Sequence, residues 1–252
     1  MYDSHIHLDQ YHEDEMNIML SQIEGVIAVA TDLDSSKRLL DLKRQYDINI
    51  AAGFHPEQAV LKESELIKLV DWIRQNQTEL CAIGEIGLPQ YLRREGKVED
   101  EAAYIHILET LIHLASELKL PVVLHAVYAD AAIALQLLSK YNVRGHFHWF
   151  KAKDELIHEV IEAGHFISVT PDVLWNAKTR RVVELTPLNQ LMIETDGPWP
   201  HTGFDKCDIQ NQLSAIIGEI AVIKQMTRNE VSIQMGHNTR SFYHLEAHDE
   251  SR

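Results

Sequence analysis

The chain has 252 residues, 45% of them hydrophobic, and a formal net charge of −15 at pH 7. This length is the usual size of one (β/α)8 barrel, and the apolar fraction is enough to fill a sizeable core. The acidic balance excludes strong non-specific binding of polyanions, because bulk charge would repel a nucleic acid unless metal ions or a local basic patch met it.

Two cysteines, Cys81 and Cys207, do not indicate a disulfide framework or a cysteine-based zinc site. No stretch approaches the roughly 20 apolar residues that a membrane-spanning helix needs. No secretory signal is visible, and histidines near the N-terminus that bind metal would have to stay on the mature protein. We therefore expect a cytoplasmic protein with no membrane association and no obligate protein partner.

Eight short apolar runs rich in β-branched residues predict β-strands. They span residues 1–8, 25–30, 49–54, 81–88, 121–126, 145–150, 166–170 and 191–195. The intervals between them are long enough for a crossover helix each time.

Helical spacing of apolar residues indicates the helices. They span residues 36–46, 99–118, 130–141, 154–163, 209–226 and 229–245. Serines are expected to cap the helix at residues 36–46, and Gly164 is expected to end the helix at residues 154–163. The polar tail 246–252 is expected to fray.

The repeated alternation of strand and helix predicts an α/β fold with a parallel sheet. Eight strands favour closure into a TIM-like (β/α)8 barrel, in which some distortion is allowed. The alternative is an open doubly wound sheet, which the absence of a Gly-rich phosphate loop after the first strand disfavours. Without a linker or low-complexity segment, residues 1–252 are expected to form one domain.

The first strand ends in His5-Ile6-His7. Alternation along a strand places both imidazoles on one face, about 7 Å apart, and on the inner face of a barrel they could share a metal ion. The alternative is a chance triplet, because the chain contains 15 histidines.

His55 follows the third strand, directly before Pro56. One interpretation makes it a residue at the barrel mouth that contacts substrate or transfers a proton. The other makes it a turn histidine that bonds to the backbone.

Glu85 lies inside the apolar fourth strand, between Gly84 and Gly87. A carboxylate buried there is costly unless a cation or a donor meets it, and nearby glycines let a ligand come close. As the partner of Glu85 we favour a metal ion over an arginine in the barrel core. A carboxylate at this position could bridge two ions.

The last three candidates follow the fifth, sixth and eighth strands. His125 ends the fifth strand, and on the sixth His146 and His148 share a face, with His148 nearer the carboxyl end where barrel chemistry occurs. Asp196 precedes a Gly-Pro turn and could bind metal and accept a proton from water. Its alternative role is an ordinary turn residue or N-cap.

Together these motifs resemble the TatD family of metal-dependent hydrolases, within the amidohydrolase superfamily. The matching segments are residues 5–7, 53–56, 84–88, 124–125, 147–150 and 194–198, and residues 238–242 are similar to the family's closing segment. The resemblance implies a TIM-like barrel, here one hydrolase domain over residues 1–252, with two divalent ions at its carboxyl mouth. Zinc, manganese or magnesium would suit such a site.

By the same resemblance, one ion would lie on His5, His7 and Asp196. The other would lie on His125 and His148, and Glu85 would bridge the two. Asp196 and Glu85 would then be the catalytic carboxylates.

Many members of the family are deoxyribonucleases, so the expected substrate is DNA or another phosphodiester. His55 is expected to bind substrate. One alternative is a two-metal hydrolase of a small amide, ester or lactone, and another is a metal-binding scaffold without activity.

Some positions depart from the family pattern at groups that would meet substrate. Pro89 replaces a usual aspartate, Trp149 replaces a usual cysteine, and an arginine that commonly follows the histidine of the fifth strand is absent. The tryptophans Trp149, Trp175 and Trp199 follow strands and could stack on bases or act as packing lids.

Basic residues in the loops at the mouth could offset the acidic total and form a cationic rim for a phosphate chain. They are Arg93, Arg94, Lys97, Lys151, Lys153, Lys178, Arg180 and Arg181. The alternative for each is a place on a solvated helix face.

Overall fold

A computed structural model describes residues 1–245 and contains eight parallel strands in one sheet, each paired with the next along the chain. The strands are β1 (Tyr2–Ile6), β2 (Gly25–Val29), β3 (Asn49–Ala52), β4 (Leu80–Gly87), β5 (Val122–His125), β6 (Gly145–Phe147), β7 (Phe166–Val169) and β8 (Leu191–Ile193). The predicted TIM-like barrel is confirmed. Every predicted strand runs past the observed carboxyl end by one to three residues.

Helices follow the strands around the barrel. They are α1 (Glu13–Leu20), α2 (Leu33–Lys43), α3 (Glu63–Gln75), α4 (Gln90–Arg94), α5 (Glu101–Leu118), α6 (Asp130–Tyr141), α7 (Asp154–Glu162), α8 (Ala177–Leu185), α9 (Ile209–Lys224) and α10 (Arg228–Tyr243). Across residues 1–245, no helix combines the length and the apolar character required to cross a bilayer.

The six predicted helices are present, and α1, α3, α4 and α8 were not predicted. The prediction that serines cap the first one was wrong: α2 begins at Leu33, and the Asp32 carboxylate caps it by accepting the N–H of Ser35. Gly164 follows the end of α7 with a φ of 78°, which an L side chain rarely adopts. The predicted fraying of residues 246–252 concerns residues outside the described range.

The barrel closes between β8 and β1 through contacts just beyond the strands. The N–H of Asp196 donates to the carbonyl of His5 at 3.0 Å, and the N–H of His7 donates to the carbonyl of Gly197 at 2.8 Å. Three predicted metal ligands therefore lie on this closing seam, where β1 and β8 hold them side by side.

Helix α10 covers the amino end of the barrel. Its Phe242 ring lies 5.2 Å from the ring of Phe166, the first residue of β7, and both belong to an apolar cluster with Ile27, Val29 and Met192. With that end filled, a cavity opens at the opposite end of the barrel, at the carboxyl ends of the strands.

Candidate metal centre

The six predicted metal ligands lie together at the carboxyl end of the barrel. They are His5, His7, Glu85, His125, His148 and Asp196. All except His7 are buried. Their convergence follows from the parallel barrel, which brings the ends of distant strands to one face.

Glu85 lies at the centre of the site, and each of its two carboxylate oxygens faces a different pair of histidines. Its Oε2 is 3.2 Å from Nε2 of His5 and 3.5 Å from Nε2 of His7. Its Oε1 is 2.8 Å from Nε2 of His148 and 3.0 Å from Nδ1 of His125. Asp196 completes the first group, because its Oδ1 lies 3.4 Å and 3.5 Å from the same nitrogens of His5 and His7.

These spacings fit ligands of divalent ions. Two atoms that bind one ion at about 2.05 Å in tetrahedral geometry lie roughly 3.3 Å apart. The nitrogen-to-oxygen distances among His5, His7 and Asp196 are 3.4 Å and 3.5 Å, and one ligand atom from each lies within 4.8 Å of the others. A second set with the same property combines His55, Glu85 and His125.

Several buried polar atoms here have no hydrogen-bond partner within residues 1–245. Nε2 of His5 and Oε2 of Glu85 are among them, although both side chains are fully buried. A buried polar atom without a partner is destabilising, and a cation between the two atoms would satisfy both. The donor set therefore fits a metal.

The charges of the site depend on one another. Burial by itself would lower the pKa of His5, but Glu85 and Asp196 outweigh it and raise that pKa to about 9. Burial by itself would raise the pKa of Glu85, but the charges of His148 and His5 and a hydrogen bond from His125 hold that pKa well below its usual value. The ionised carboxylates thus require cations among the imidazoles, and metal ions would displace the protons.

Glu194 is a residue of the site that the sequence reasoning missed. Its Oε1 lies 3.4 Å from Nδ1 of His148 and accepts the N–H of Trp149 at 2.7 Å, and its Oε2 accepts the hydroxyl of Ser168 at 2.5 Å. A carboxylate behind an imidazole fixes its orientation and raises its basicity. The available signal was strand parity, since Glu194 lies two residues before Asp196.

Glu57 was missed as well. Its Oε1 is 3.4 Å from Nε2 of His125, and its two oxygens accept the N–H groups of Tyr91 at 2.7 Å and Leu92 at 2.8 Å. Glu57 thus connects the first turn of α4 to His125. Its sequence signal was weak, because a carboxylate in a loop usually remains in solvent.

His55 lies at the mouth and its ring also bonds to the backbone, so features of both interpretations are present. Its Nε2 is 3.5 Å from Oε1 of Glu85, and its Nδ1 accepts the N–H of Glu57 at 3.2 Å. Burial, with the nearby charges of His125 and His7, lowers the pKa of His55 to about 4, although Glu85 opposes the shift. His55 is therefore a neutral imidazole, and the accepted hydrogen bond places its proton on Nε2.

His146 lies deeper in the barrel than His148. Its Nε2 is 2.6 Å from the Ser168 hydroxyl, and its Nδ1 is 2.6 Å from the Tyr243 hydroxyl. Both nitrogens of His146 are thus engaged below the site, and His148 is the histidine of this strand that lies beside Glu85.

A cavity of about 840 Å³ opens above these groups. Four carboxylates line it, from Glu57, Glu85, Glu95 and Asp196. Its aromatic residues apart from histidine are Tyr91, Trp149 and Trp199. Of the described residues that line it, none is a lysine or arginine.

Most of the basic residues expected to form a cationic rim are held in ion pairs. The pairs are Arg93–Asp130, Lys97–Glu95, Lys151–Asp172, Arg180–Glu219 and Arg181–Asp154. Arg93 also lies 3.0 Å from Glu101, and the ammonium group of Lys178 lies 5.2 Å from the centre of the Tyr128 ring. These cations mainly connect loops and helices of the protein to one another.

Of the positions that depart from the family pattern, Trp149 lines the cavity and Pro89 directly precedes α4. Trp149 has a φ of 38°, an uncommon backbone conformation for a bulky residue, and the Lys151 ammonium group lies 4.1 Å from the centre of its ring. Trp149 also lies 6.0 Å from Trp199, so it is packed between neighbours.

Comparisons with known proteins agree with these observations. The family model "TatD related DNase" matches residues 2–244. An "uncharacterized metal-dependent hydrolase" of Haemophilus influenzae is 44% identical over 250 residues, which cover 97% of this chain and 100% of the relative. The human protein named "Deoxyribonuclease TATDN3" is 26% identical over 187 residues, covering 71% of this chain and 68% of that protein.

The fold is also similar to that of a solved structure. The crystal structure of YJJV, a TatD homologue from Escherichia coli K12, superposes with a TM-score of 0.81 at 22% identity, covering 98% of both chains. At this identity the similarity concerns the fold, and it agrees with the eight-stranded barrel described above.

Proposed function

The chain belongs to the TatD family of metal-dependent hydrolases, and from that premise we propose that it is a two-metal phosphodiesterase acting on DNA or a related phosphodiester. The observation that carries the proposal is the position of Glu85, whose two oxygens face two separate groups of imidazoles. Paired divalent ions suit phosphodiester hydrolysis, because they stabilise both the attacking and the leaving oxygen. The name of the human relative supports the same substrate class.

In this proposal His5, His7 and Asp196 would hold one ion. His125 and His148 would hold the other, and the carboxylate of Glu85 would serve both. Zinc, manganese or magnesium, when bound, would polarise the scissile bond and lower the pKa of a water molecule.

Asp196 is the proposed proton acceptor. Burial would raise its pKa, but the imidazoles of His5 and His7, 3.4 Å and 3.5 Å away, and the charge of His148 hold that pKa well below its usual value. Asp196 is therefore ionised and can accept a hydrogen bond from the attacking water and orient it, and it could take the proton of that water because the metal ions would lower the pKa of the water. The Nε2–H of His55 is positioned to donate a hydrogen bond to a phosphoryl oxygen.

The reaction consumes one water molecule for each bond. The water oxygen forms a bond to phosphorus, one ester P–O bond breaks, and the released oxygen receives the proton that Asp196 held. The products are a phosphomonoester and an alcohol.

A second candidate is a hydrolase of a small amide, ester or lactone that uses the same metal ligands. The observation that favours it is the cavity lining, in which the described residues include four carboxylates and no lysine or arginine. An uncharged substrate would enter such a cavity without electrostatic repulsion.

The test is a substrate panel on protein stripped of metal and reloaded with Mn²⁺, Mg²⁺ or Zn²⁺. Bis(p-nitrophenyl) phosphate and oligodeoxynucleotides would be compared with ester, amide and lactone substrates. We expect phosphodiester cleavage that Asp196→Asn abolishes. Glu95→Gln is the matched control, because Glu95 lines the same cavity but forms an ion pair with Lys97 away from the imidazoles.

Hydrolysis of esters or amides alone, at full metal occupancy, would replace the phosphodiesterase by the second candidate. Turnover of nothing on the panel, with both ions bound, would favour the scaffold interpretation.

A further inference from the structure

Within the cavity, lysine and arginine supply no positive charge among the described residues, so a substrate there would depend on the proposed ions. Two further carboxylates line the cavity, those of Glu57 and Glu95, in addition to Glu85 and Asp196, which would bind metal. No lysine or arginine among the described residues lines it. A phosphate that is not at the ions would therefore meet carboxylates.

The surface around the mouth offers little to a long phosphate chain. Proteins that track polynucleotides bind successive phosphates mainly through lysine and arginine. Here Arg93, Lys151 and Arg181 lie 2.8 Å, 3.2 Å and 2.7 Å from carboxylates of the protein. The net charge of −15 adds general repulsion.

The mouth does present two exposed aromatic side chains. Tyr91 is 40% exposed and Trp199 is 58% exposed. They follow β4 and β8, which lie on opposite sides of an eight-stranded barrel.

Each of these residues lies beside one ligand group and lines the cavity. The Tyr91 ring is 6.0 Å from the His125 ring, and the backbone N–H of Trp199 donates to the backbone carbonyl of Asp196 at 3.0 Å. A flat, uncharged base on either side of a reacting phosphate would reach one of these rings, and stacking on aromatic side chains accepts every base.

The size of the cavity fits a small substrate. Its volume of about 840 Å³ lies within the range of about 300–1,000 Å³ typical of sites for single small ligands.

We propose that the substrate is a short phosphodiester of dinucleotide size, and that Tyr91 and Trp199 select it by stacking on its bases. This inference rests on the proposed phosphodiesterase function and narrows it. For a dinucleotide without a terminal phosphate, the oxygen of one water forms a bond to phosphorus, one ester P–O bond breaks, and one nucleotide and one nucleoside are released.

The first experiment compares kcat/KM for a deoxydinucleotide and a single-stranded 20-mer, with Mn²⁺, at 50 and 200 mM NaCl. We expect the dinucleotide to be cleaved at least as efficiently as each end of the 20-mer. We also expect kcat/KM for the dinucleotide to change less than about threefold between the two salt concentrations. Salt weakens binding in proportion to the number of phosphate contacts, and this substrate makes few.

The second experiment removes the rings. Substrate preference is the ratio of kcat/KM for the dinucleotide to that for an analogue without bases. Trp199→Ala and Tyr91→Leu should each lower this ratio at least tenfold, and Trp199→Phe should restore most of it. Trp175→Ala is the matched control, because Trp175 is 49% exposed but does not line the cavity.

Two results would overturn the inference and leave the phosphodiesterase function standing. One is a 20-mer cleaved 100-fold more efficiently than the dinucleotide with a steep loss in salt. The other is a substrate preference that neither Trp199→Ala nor Tyr91→Leu changes. Failure to cleave any phosphodiester, bis(p-nitrophenyl) phosphate included, at full metal occupancy would overturn the phosphodiesterase proposal and this inference with it.

Discussion

The carboxylate of Asp3 accepts both the N–H of Thr195 at 3.1 Å and its hydroxyl at 2.6 Å. Both side chains are fully buried. Asp3 also accepts the N–H of His5 at 3.2 Å. One side chain of β1 thus fixes the backbone at His5 and at the residue before Asp196, two proposed ligands of the same ion.

Asp3→Ala should weaken both the barrel and its first metal site. Two buried donors of Thr195 would lose their acceptor, so we expect a loss of about 2–4 kcal/mol in the free energy of unfolding. We also expect metal affinity to fall about tenfold. Urea unfolding of the metal-free protein and calorimetric titration with Mn²⁺ measure the two effects.

Ser4→Ala is the matched control for Asp3→Ala. Ser4 is the next residue of β1 and is fully buried, but its hydroxyl has no hydrogen-bond partner among residues 1–245. If the two variants lose equal stability, the seam does not depend on Asp3.

Glu85→Ala should remove the shared ligand of both ions. Metal analysis of the purified variant is expected to find at most one ion per chain, against the two expected for the wild type, and activity should fall at least about 10³-fold. Retention of two ions at wild-type affinity would contradict the bridging role.

His55→Gln should separate substrate binding from metal binding. The variant keeps a side-chain donor of similar reach but changes its position, so we expect kcat to fall about 10²-fold with metal content unchanged. Because a nitrogen of His55 lies within 4.8 Å of ligand atoms of Glu85 and His125, metal analysis of the variant decides whether His55 binds metal or only substrate. Loss of an ion from this variant would make His55 a ligand.

The sequence predicted the barrel and the arrangement of the candidate centre well, for a simple physical reason. Apolar runs identify buried parallel strands without knowledge of which strands pair with which. Closure of the barrel then brings the residues at the carboxyl ends of all the strands to one face. His148 could be preferred over His146 on position alone, and the structure places His146 below it, bonded to Ser168 and Tyr243.

What the sequence could not predict depends on contacts between distant elements. Glu57 contacts His125 and holds the first turn of α4, a helix of only five residues whose existence no periodicity indicated. The cations of the mouth loops looked free because their partners, such as Asp130 for Arg93, lie in other elements. Ion pairing of this kind is a tertiary property, so charge counts along the chain overestimated the basic rim.

His165 gives a stability prediction that is independent of metal. It lies directly before β7 and is 6% exposed, and its Nδ1 accepts the N–H of Gly145 at 3.2 Å. Burial, with the nearby charge of Arg144, lowers the pKa of His165 from 6.5 to about 4. The unfolded chain therefore binds more protons than the folded one between these two values, and stability is lost as pH falls through this window.

His165→Asn should flatten that pH dependence, because asparagine keeps an acceptor for the Gly145 N–H but does not titrate. Between pH 7.5 and pH 5.0 the wild type should lose about 2 kcal/mol more unfolding free energy than the variant, from linkage of one group with these pKa values. Urea unfolding at both pH values measures the difference, and other histidines cancel because they titrate in both proteins. Parallel curves for the two proteins would show that His165 is protonated in the fold, which its hydrogen bond with Gly145 opposes, since a protonated Nδ1 cannot accept an N–H.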